Sequence, residues 1–485
     1  MLVGTLIGTV STLFIYPLDE GLYGTLQFLI AAAALLAPVA GIGVQALTVR
    51  FFPEFTTEDG RHHGFLGLIY LLIAVGILVF SVVAFFLKEE FFDLLRLLEM
   101  DVAIFKSNLP EIFALLCVTL FVTRTHQYLT NYQRIVVPYV LLDFWLKLAI
   151  PAFVLLAHYQ ILEVYAIKWL FIALKVFSLL GFLYYTYQLG ALQLRIDWSF
   201  LTRARVKSMA NYALFGIFGS LSTVIAFQID KVMVTGYEGV VSNGIYSIAL
   251  FISNIMIIPS KSVIPLVSAQ ISQLSVKGDQ KTIEGLYHKS SITLLIAGLG
   301  FFLLIWWNIE DVFSLTTNKE ALMLGKYVVL YLGIAKLIDM VTGVNSQIIA
   351  FSRYFRWNLL FIVIMGILTV SANMYFIPRL GITGAAVATL ISLTTFNLLK
   401  FAFIWYVFGM QPFNLNTVYI LLLGILASLG CWWMPETTWP LLNIALRSLL
   451  VFLLFAVPIY VLRLSEDISA LVEKYLRMLF KALGR

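Results

Sequence analysis

The stretch from Phe65 to Leu87 (FLGLIYLLIAVGILVFSVVAFFL) carries no charge. At about 1.5 Å of rise per helical residue it is long enough to cross a hydrocarbon core of about 30 Å. About fourteen stretches of this kind follow one another along the chain, joined by connections too short to fold a catalytic domain outside the lipid. Spans are predicted near 1–16, 22–49, 64–87, 109–130, 136–158, 162–188, 208–235, 241–272, 287–308, 322–351, 357–377, 382–408, 417–434 and 441–462. Composition agrees. Only 12% of residues are charged and 61% are hydrophobic, where a soluble globule carries about a quarter charged residues. The chain reads as an all-α polytopic membrane protein whose work is done by helices inside the bilayer.

The net charge of +6 does not mark a nucleic-acid binder, because the basic residues are scattered singly through short loops and form no patch or stripe. They sort by side instead. Arg50, Arg61, Arg124, Arg134, Arg195, Arg203, Arg205, Lys207, Lys277, Lys281, Lys289, Arg353, Arg356 and Arg463 fall on one side of the spans. The other side has mainly Lys88, Arg96, Lys106, Lys319 and Arg379. By the positive-inside rule the first side is cytoplasmic, and both termini lie there. Met1 runs directly into apolar sequence with no basic leader or small-residue cleavage site, so the start does not read as a signal peptide. The first span is short, which fits a natural chain beginning further upstream. From Ser465 to Arg485 the tail places Ile468, Leu471, Tyr475, Leu476, Leu479 and Leu483 at roughly helical spacing, with Lys474, Arg477, Lys481 and Arg485 elsewhere. It reads as an amphipathic cytoplasmic helix on anionic membrane lipid.

No enzyme is expected. His62 and His63 fall in a cytoplasmic loop, His126 and His288 near helix ends and His158 near the opposite interface, without metal-ligand spacing. There is no nucleotide-cradling GxxxxGK[ST] loop, no nucleophile elbow and no paired-carboxylate arrangement. Cys117 and Cys431 sit inside apolar helices and suggest neither a disulfide framework nor a metal site. Neither cofactor nor metal is expected beyond a coupling ion.

A weak internal repeat organises the spans. Gly8-Thr-Val-Ser-Thr-Leu13 in the first resembles Gly219-Ser-Leu-Ser-Thr-Val224 in the seventh. Gly21-Leu-Tyr-Gly-Thr25 opening the second resembles Gly244-Ile-Tyr-Ser-Ile248 opening the eighth. Small residues also serve ordinary close packing of membrane helices, but the same order recurs six helices apart. The expectation is two like-oriented six-helix lobes, 1–190 and 208–409, then two further helices over 417–463 and the tail over 465–485. A site between two such lobes is a transporter plan.

Several segments carry a family resemblance: RFFPEF from Arg50, HHGFL from His62, the Asp230-Lys231 pair, NGIYSIALFISNIMIIPSKSVIPLVSAQIS from Asn243, YHKSS from Tyr287, LIDMVTGVNSQIIAFSRY from Leu337, GITGAAVATLIS from Gly381 and MQPFN from Met410. In order and spacing the chain resembles the bacterial oligosaccharide (O-antigen type) flippases, or polysaccharide biosynthesis proteins, of the multidrug/oligosaccharidyl-lipid/polysaccharide export superfamily. The start matches least, lacking the basic leader such proteins usually have. The resemblance implies a central cavity between the lobes and alternating access. It also implies a polyprenyl-pyrophosphate-linked oligosaccharide as cargo, the bacterial cytoplasmic (inner) membrane as location, and other polysaccharide-assembly proteins as partners.

A cavity passing an anionic headgroup needs ionisable groups at membrane depth, where each costs a few kcal/mol or more. Asp143 and Lys147 lie one turn apart on the fifth span, and Lys168 and Lys175 two turns apart on the sixth. Lys147, Lys168 and Lys175 are candidate substrate contacts. The competing reading is an Asp143 salt bridge and a Lys168 that snorkels. In the eighth span Lys261 follows Pro259, between Ser260 and Ser262. It is a candidate phosphate contact, or else a residue reaching for the cytoplasm. Lys336 is a further candidate, although Asp339 three residues on offers it an intrahelical partner. Arg353, with Arg356 beside it, is a candidate for meeting incoming pyrophosphate and equally a topology charge. Asp230 differs in kind. Oxygens from Asn373 and from Thr383 or Thr389 beside it suit Na+, the acid alone suits H+, and Lys231 offers a plain ion pair. A multidrug/cation antiporter and a lipid II flippase stay open as rivals. A membrane polysaccharide polymerase or glycosyltransferase would need a large outer loop, and the longest candidate, Lys88 to Lys106, is short and half hydrophobic.

Overall fold

The structure, a computed structural model, describes residues 2–58, 60–132, 134 and 136–482. It is helical throughout, with no strand among the described residues. Among those residues eleven helices are long and apolar enough to cross a membrane, so the all-α, multi-pass reading stands.

Apolarity sets where helices form, but local breaks divide them differently from the fourteen expected spans. The run Arg203–Lys277 is continuous over 75 residues, too long for one crossing at about 1.5 Å per residue. Gly239, at φ 86° and ψ 176°, interrupts it, in a region of backbone space open essentially to glycine. The break falls between the expected spans 208–235 and 241–272. The expected span 22–49 ends early, as Glu20–Ala40, and resumes after a turn as Val44–Arg50. The expected span 322–351 is three pieces, Lys319–Leu324, Lys326–Val341 and Asn345–Ala350, none long enough to cross alone. The first span changes character within a few turns, from the α-helix Leu2–Val10 to a wide turn at Ser11–Ile15 and a tight one at Tyr16–Leu18 around Pro17.

Packing sorts the chain into two compact units, Met1–Ser247 with Thr369–Gly384, and Ile248–Leu368 with Ala385–Arg485. In the first, helix 102–131 packs along helix 164–188 through Val122, Leu129 and Phe182. Both copies of the repeat's first element form the same bond, Thr12 Oγ1 to the Gly8 carbonyl at 2.7 Å and Thr223 Oγ1 to the Gly219 carbonyl at 2.8 Å. Copies of the second element meet each other. A Cβ on Gly24 would lie 1.8 Å from the Val240 carbonyl oxygen, and one on Gly244 2.1 Å from that of Glu20. Only glycine permits backbones to approach this closely, and the Asn243 side chain closes the junction with a 2.8 Å bond to the Gly24 carbonyl.

Two apolar cores stand out among the described residues of the second unit. One joins helices 280–314, 415–433 and 440–451 through Leu295, Leu299, Ile420, Ala427 and Val451. Arg447 staples the same elements, donating to the Trp307 carbonyl and Asp311 at 2.8 Å each and to Glu436 at 2.9 Å. The other core gathers Ile271, Tyr287, Ile348, Phe361 and Ile404. The tail is helical over Glu466–Ala482. Its first turn docks on the unit, with Ile468 against the first core and Asp467 bonded to Lys289 at 2.8 Å. Leu471, Tyr475, Leu476, Leu479 and Leu483 of the expected apolar face lie outside the described side chains. Large apolar side chains such as Phe85, Tyr406 and Trp433 stand out from the surface, as lipid solvation requires.

Candidate functional site

Helix 102–131 starts at Asp101, whose carboxylate caps the Ala103 amide at 2.8 Å. Just inside it, Asn108 and Glu111 flank Pro110 and face Lys168 near the start of helix 164–188. Lys168 Nζ lies 2.6 Å from Glu111 Oε1 and 3.1 Å from Asn108 Oδ1. The side chains are 10% and 2% exposed for Lys168 and Glu111, so this ion pair is sealed in helix packing. Glu111 Oε2 is also buried, without a protein partner. Lys175, two turns on, is partly buried. Lys147 turns to the first helix, its Nζ 3.5 Å from where a Cβ on Gly4 would stand. The Asp143 side chain lies outside the described residues.

The same unit brings Asp230 and Asn373 together from 143 residues apart, Asn373 Nδ2 donating to Asp230 Oδ1 at 2.8 Å. Tyr246 donates its hydroxyl to Asp230 Oδ2 at 2.9 Å. Both carboxylate oxygens thus accept a hydrogen bond in a buried setting. Asn373 presents its amide nitrogen to the acid, while its Oδ1 is buried without a protein partner. Lys231 follows Asp230 in sequence, but adjacent helical residues point apart, and its Nζ bonds Gln27 Oε1 at 2.9 Å. Thr383 is half-buried in this unit. Thr389 belongs to the second unit, where its hydroxyl donates to the Ala385 carbonyl at 3.0 Å.

In the second unit Asp339 does not stand alone with Lys336. Asn397 Nδ2 donates to Asp339 Oδ1 at 3.0 Å, and Asn397 Oδ1 accepts from Thr342 at 3.0 Å and Asn345 at 3.2 Å. One turn further on, Lys400 is buried, donating to Ser346 Oγ at 2.9 Å with its ammonium 3.7 Å from the centre of the Phe396 ring. Lys336 is partly buried. Lys261 and Arg353 are exposed, and the Arg353 guanidinium sits 4.8 Å from the Tyr354 ring centre.

Three residues of this charged set escape a reading of the sequence. Glu111 lies at the edge of an expected span and looks interfacial. Lys400 lies well inside one, and its buried bond to Ser346 appears only in the packing. Arg124 counts among the topology charges, yet it is buried. Its guanidinium bonds Gln127 Oε1 at 2.7 Å and Gln45 Oε1 at 3.2 Å, both neutral. At the loop end of the first unit, His63 bonds Asp197 at 2.9 Å and stacks on Phe200. The Ser199 hydroxyl and the His63 ring hold the Asp197 carboxyl down to about 2.

No protein-family model matches the sequence, and no curated protein does. Solved structures do match in fold. The chain is similar to the lipid II flippase MurJ in an inward closed conformation, at TM-score 0.69 and 15% identity over 95% of this chain and 97% of that one. It is also similar to a multidrug resistance MATE family transporter of the MOP superfamily in an inward-facing conformation, at TM-score 0.59 and 13% identity over 82% and 93%.

Proposed function

We propose that this protein is a flippase that carries a polyprenyl-pyrophosphate-linked oligosaccharide across the bacterial cytoplasmic membrane by alternating access, with both termini on the cytoplasmic side. One observation carries the reading: the fold likeness to a lipid II flippase extends over 95% of the chain, against 82% for the multidrug transporter. Cationic groups at membrane depth support it, since an anionic headgroup needs a polar route past hydrocarbon. Lys147, Lys175 and Lys261 are assigned to the headgroup. Asp230, with Asn373, is assigned to Na+ or H+ coupling. Lipid II itself is the second cargo to consider, because it is what the MurJ neighbour is named for.

The test is purified protein in liposomes loaded with lipid-linked oligosaccharide or lipid II, with appearance of the headgroup on the far face as readout. Transport of the oligosaccharide carrier, lost in Lys261→Ala and largely kept in Lys261→Arg at matched membrane abundance, is the expected result. Wild-type rates in Lys261→Ala remove that residue from the site. Transport of cationic drugs with neither lipid carrier overturns the flippase reading.

A further inference from the structure

At one end of the second unit a cavity of about 410 Å³ opens between the C-terminal end of helix 258–277, the start of helix 280–314, the turn at 351–354 and the end of helix 382–408. Its floor is firm, because Ile283, Ile348 and Met410 belong to an apolar core of that unit. Its wall is aromatic: Tyr354, which packs on Phe403 and Phe408 at ring distances of 5.8 and 6.0 Å, then Phe408 and Phe351. The Ser352 hydroxyl shapes the turn, donating to the Ile349 carbonyl at 2.9 Å and accepting from the Tyr354 amide at 3.0 Å. That turn holds Arg353 over the cavity.

Arg353 is the charged residue of the lining, and among the described residues it has no ion pair and no side-chain hydrogen bond. Asp279, the nearest acid in sequence to the lining residues Gly278 and Gln280, is turned to its own helix. Its two oxygens accept from the Thr282 amide at 3.1 Å and the Thr282 hydroxyl at 2.7 Å. Those bonds hold its carboxyl below the usual range, with Lys277 and Lys281 adding to the effect. Lys277, Lys281 and Arg356 are exposed around the same turns, so the rim is cationic. Ser275 and Gln280 add a hydroxyl and an amide to the lining.

We propose that this cavity is a binding site for a phosphorylated sugar, with Arg353 on the phosphate, the Tyr354–Phe408 wall against the C–H face of the ring, and Ser275 and Gln280 on its hydroxyls. A guanidinium fork suits phosphate geometry. A lone phosphate would leave both the aromatic wall and most of the volume unused. The choice of a sugar rests on the flippase reading; the anion specificity does not. The site receives the phosphosugar end of the cargo, or a soluble compound of the same chemistry, on the side where the basic residues gather.

Glucose 1-phosphate, glucose and inorganic phosphate serve as probes, with binding to the purified full-length protein in detergent read by equilibrium dialysis and by thermal shift. The expected result is saturable binding of glucose 1-phosphate, at least tenfold tighter than either glucose or inorganic phosphate. Arg353→Ala, an exposed position, weakens it at least tenfold, Arg353→Lys weakens it less, and Gln280→Ala weakens it without restoring parity with phosphate. Absence of binding, equal binding in Arg353→Ala, or inorganic phosphate matching glucose 1-phosphate overturns the proposal. Failure of transport in liposomes bears on the flippase reading and leaves this binding measurement standing.

Discussion

Replacing Lys168 by Met tests whether the Glu111–Lys168 pair holds the first unit together. Both side chains are buried, and the ammonium bridges Glu111 Oε1 at 2.6 Å and Asn108 Oδ1 at 3.1 Å. Removing one partner of such a pair costs about 3–5 kcal/mol, because the charge left behind is neither solvated nor compensated. Here the remaining carboxylate is badly placed, since Oε2 already has no protein partner and Asn108 Nδ2 is engaged with the Ile104 carbonyl at 2.9 Å. The loss for Lys168→Met therefore falls in that range, about 3–5 kcal/mol. Glu111→Gln keeps an acceptor for the ammonium but leaves its charge uncompensated, so it too costs about 3–5 kcal/mol. The apolar double variant Glu111→Leu/Lys168→Met removes both charges and returns to within about 1 kcal/mol of wild type. Cys117, on the Glu111 helix, and buried Cys431 are built-in reporters. Maleimide labelling of both on heating, in detergent, gives the unfolding curve of each variant. A Lys168→Met protein as stable as wild type, or a double variant no better than the single, refutes the reasoning.

Gly24→Ala should sharply lower membrane abundance, since its Cβ falls 1.8 Å from the Val240 carbonyl oxygen; normal levels of folded protein would mean that the junction yields without cost. Asp230→Asn should remove the dependence of transport on a sodium or proton gradient while leaving headgroup binding in place. Wild-type protein that flips at one rate regardless of either gradient would end the coupling assignment.

Helices were legible because apolar runs leave a chain few alternatives in lipid, where every backbone group must be bonded within its own segment. Their breaks were less so. Gly239 and the turns after Ala40 and Val341 look like any other small residue or connection in a membrane span until the backbone angles are known. Asp230 and Asn373 could be paired from sequence because each is a polar residue stranded in apolar surroundings. Glu111 could not, because at the edge of its span it looked like an ordinary interfacial acid, and only the packing of helix 164–188 on helix 102–131 shows that Lys168 is its partner. The repeat marks two halves in the sequence. That Gly24 and Gly244 also fit into each other's backbones depends on three-dimensional contact and leaves no further trace in either motif.

Arg124 separates fold from function most cleanly. A buried guanidinium normally faces a carboxylate; this one is held by the side-chain oxygens of Gln127 and Gln45. Two neutral acceptors satisfy part of its hydrogen-bonding capacity but none of its charge, so it is a net burden on the folded state. The small space beside it, about 10 Å³ and lined by Gly41, Gly43 and Ser220 among others, is about the size of one water and too small for a phosphate in this conformation. Arg124→Met, which keeps the bulk and removes the charge, should therefore raise the unfolding temperature, by the equivalent of about 1–2 kcal/mol, instead of lowering it. Transport is then the deciding measurement. A variant that is more stable and no longer transports shows that the charge is kept for an anion met in another conformation. Equal transport makes Arg124 a topology charge drawn into the packing, and a less stable variant refutes the electrostatic argument itself.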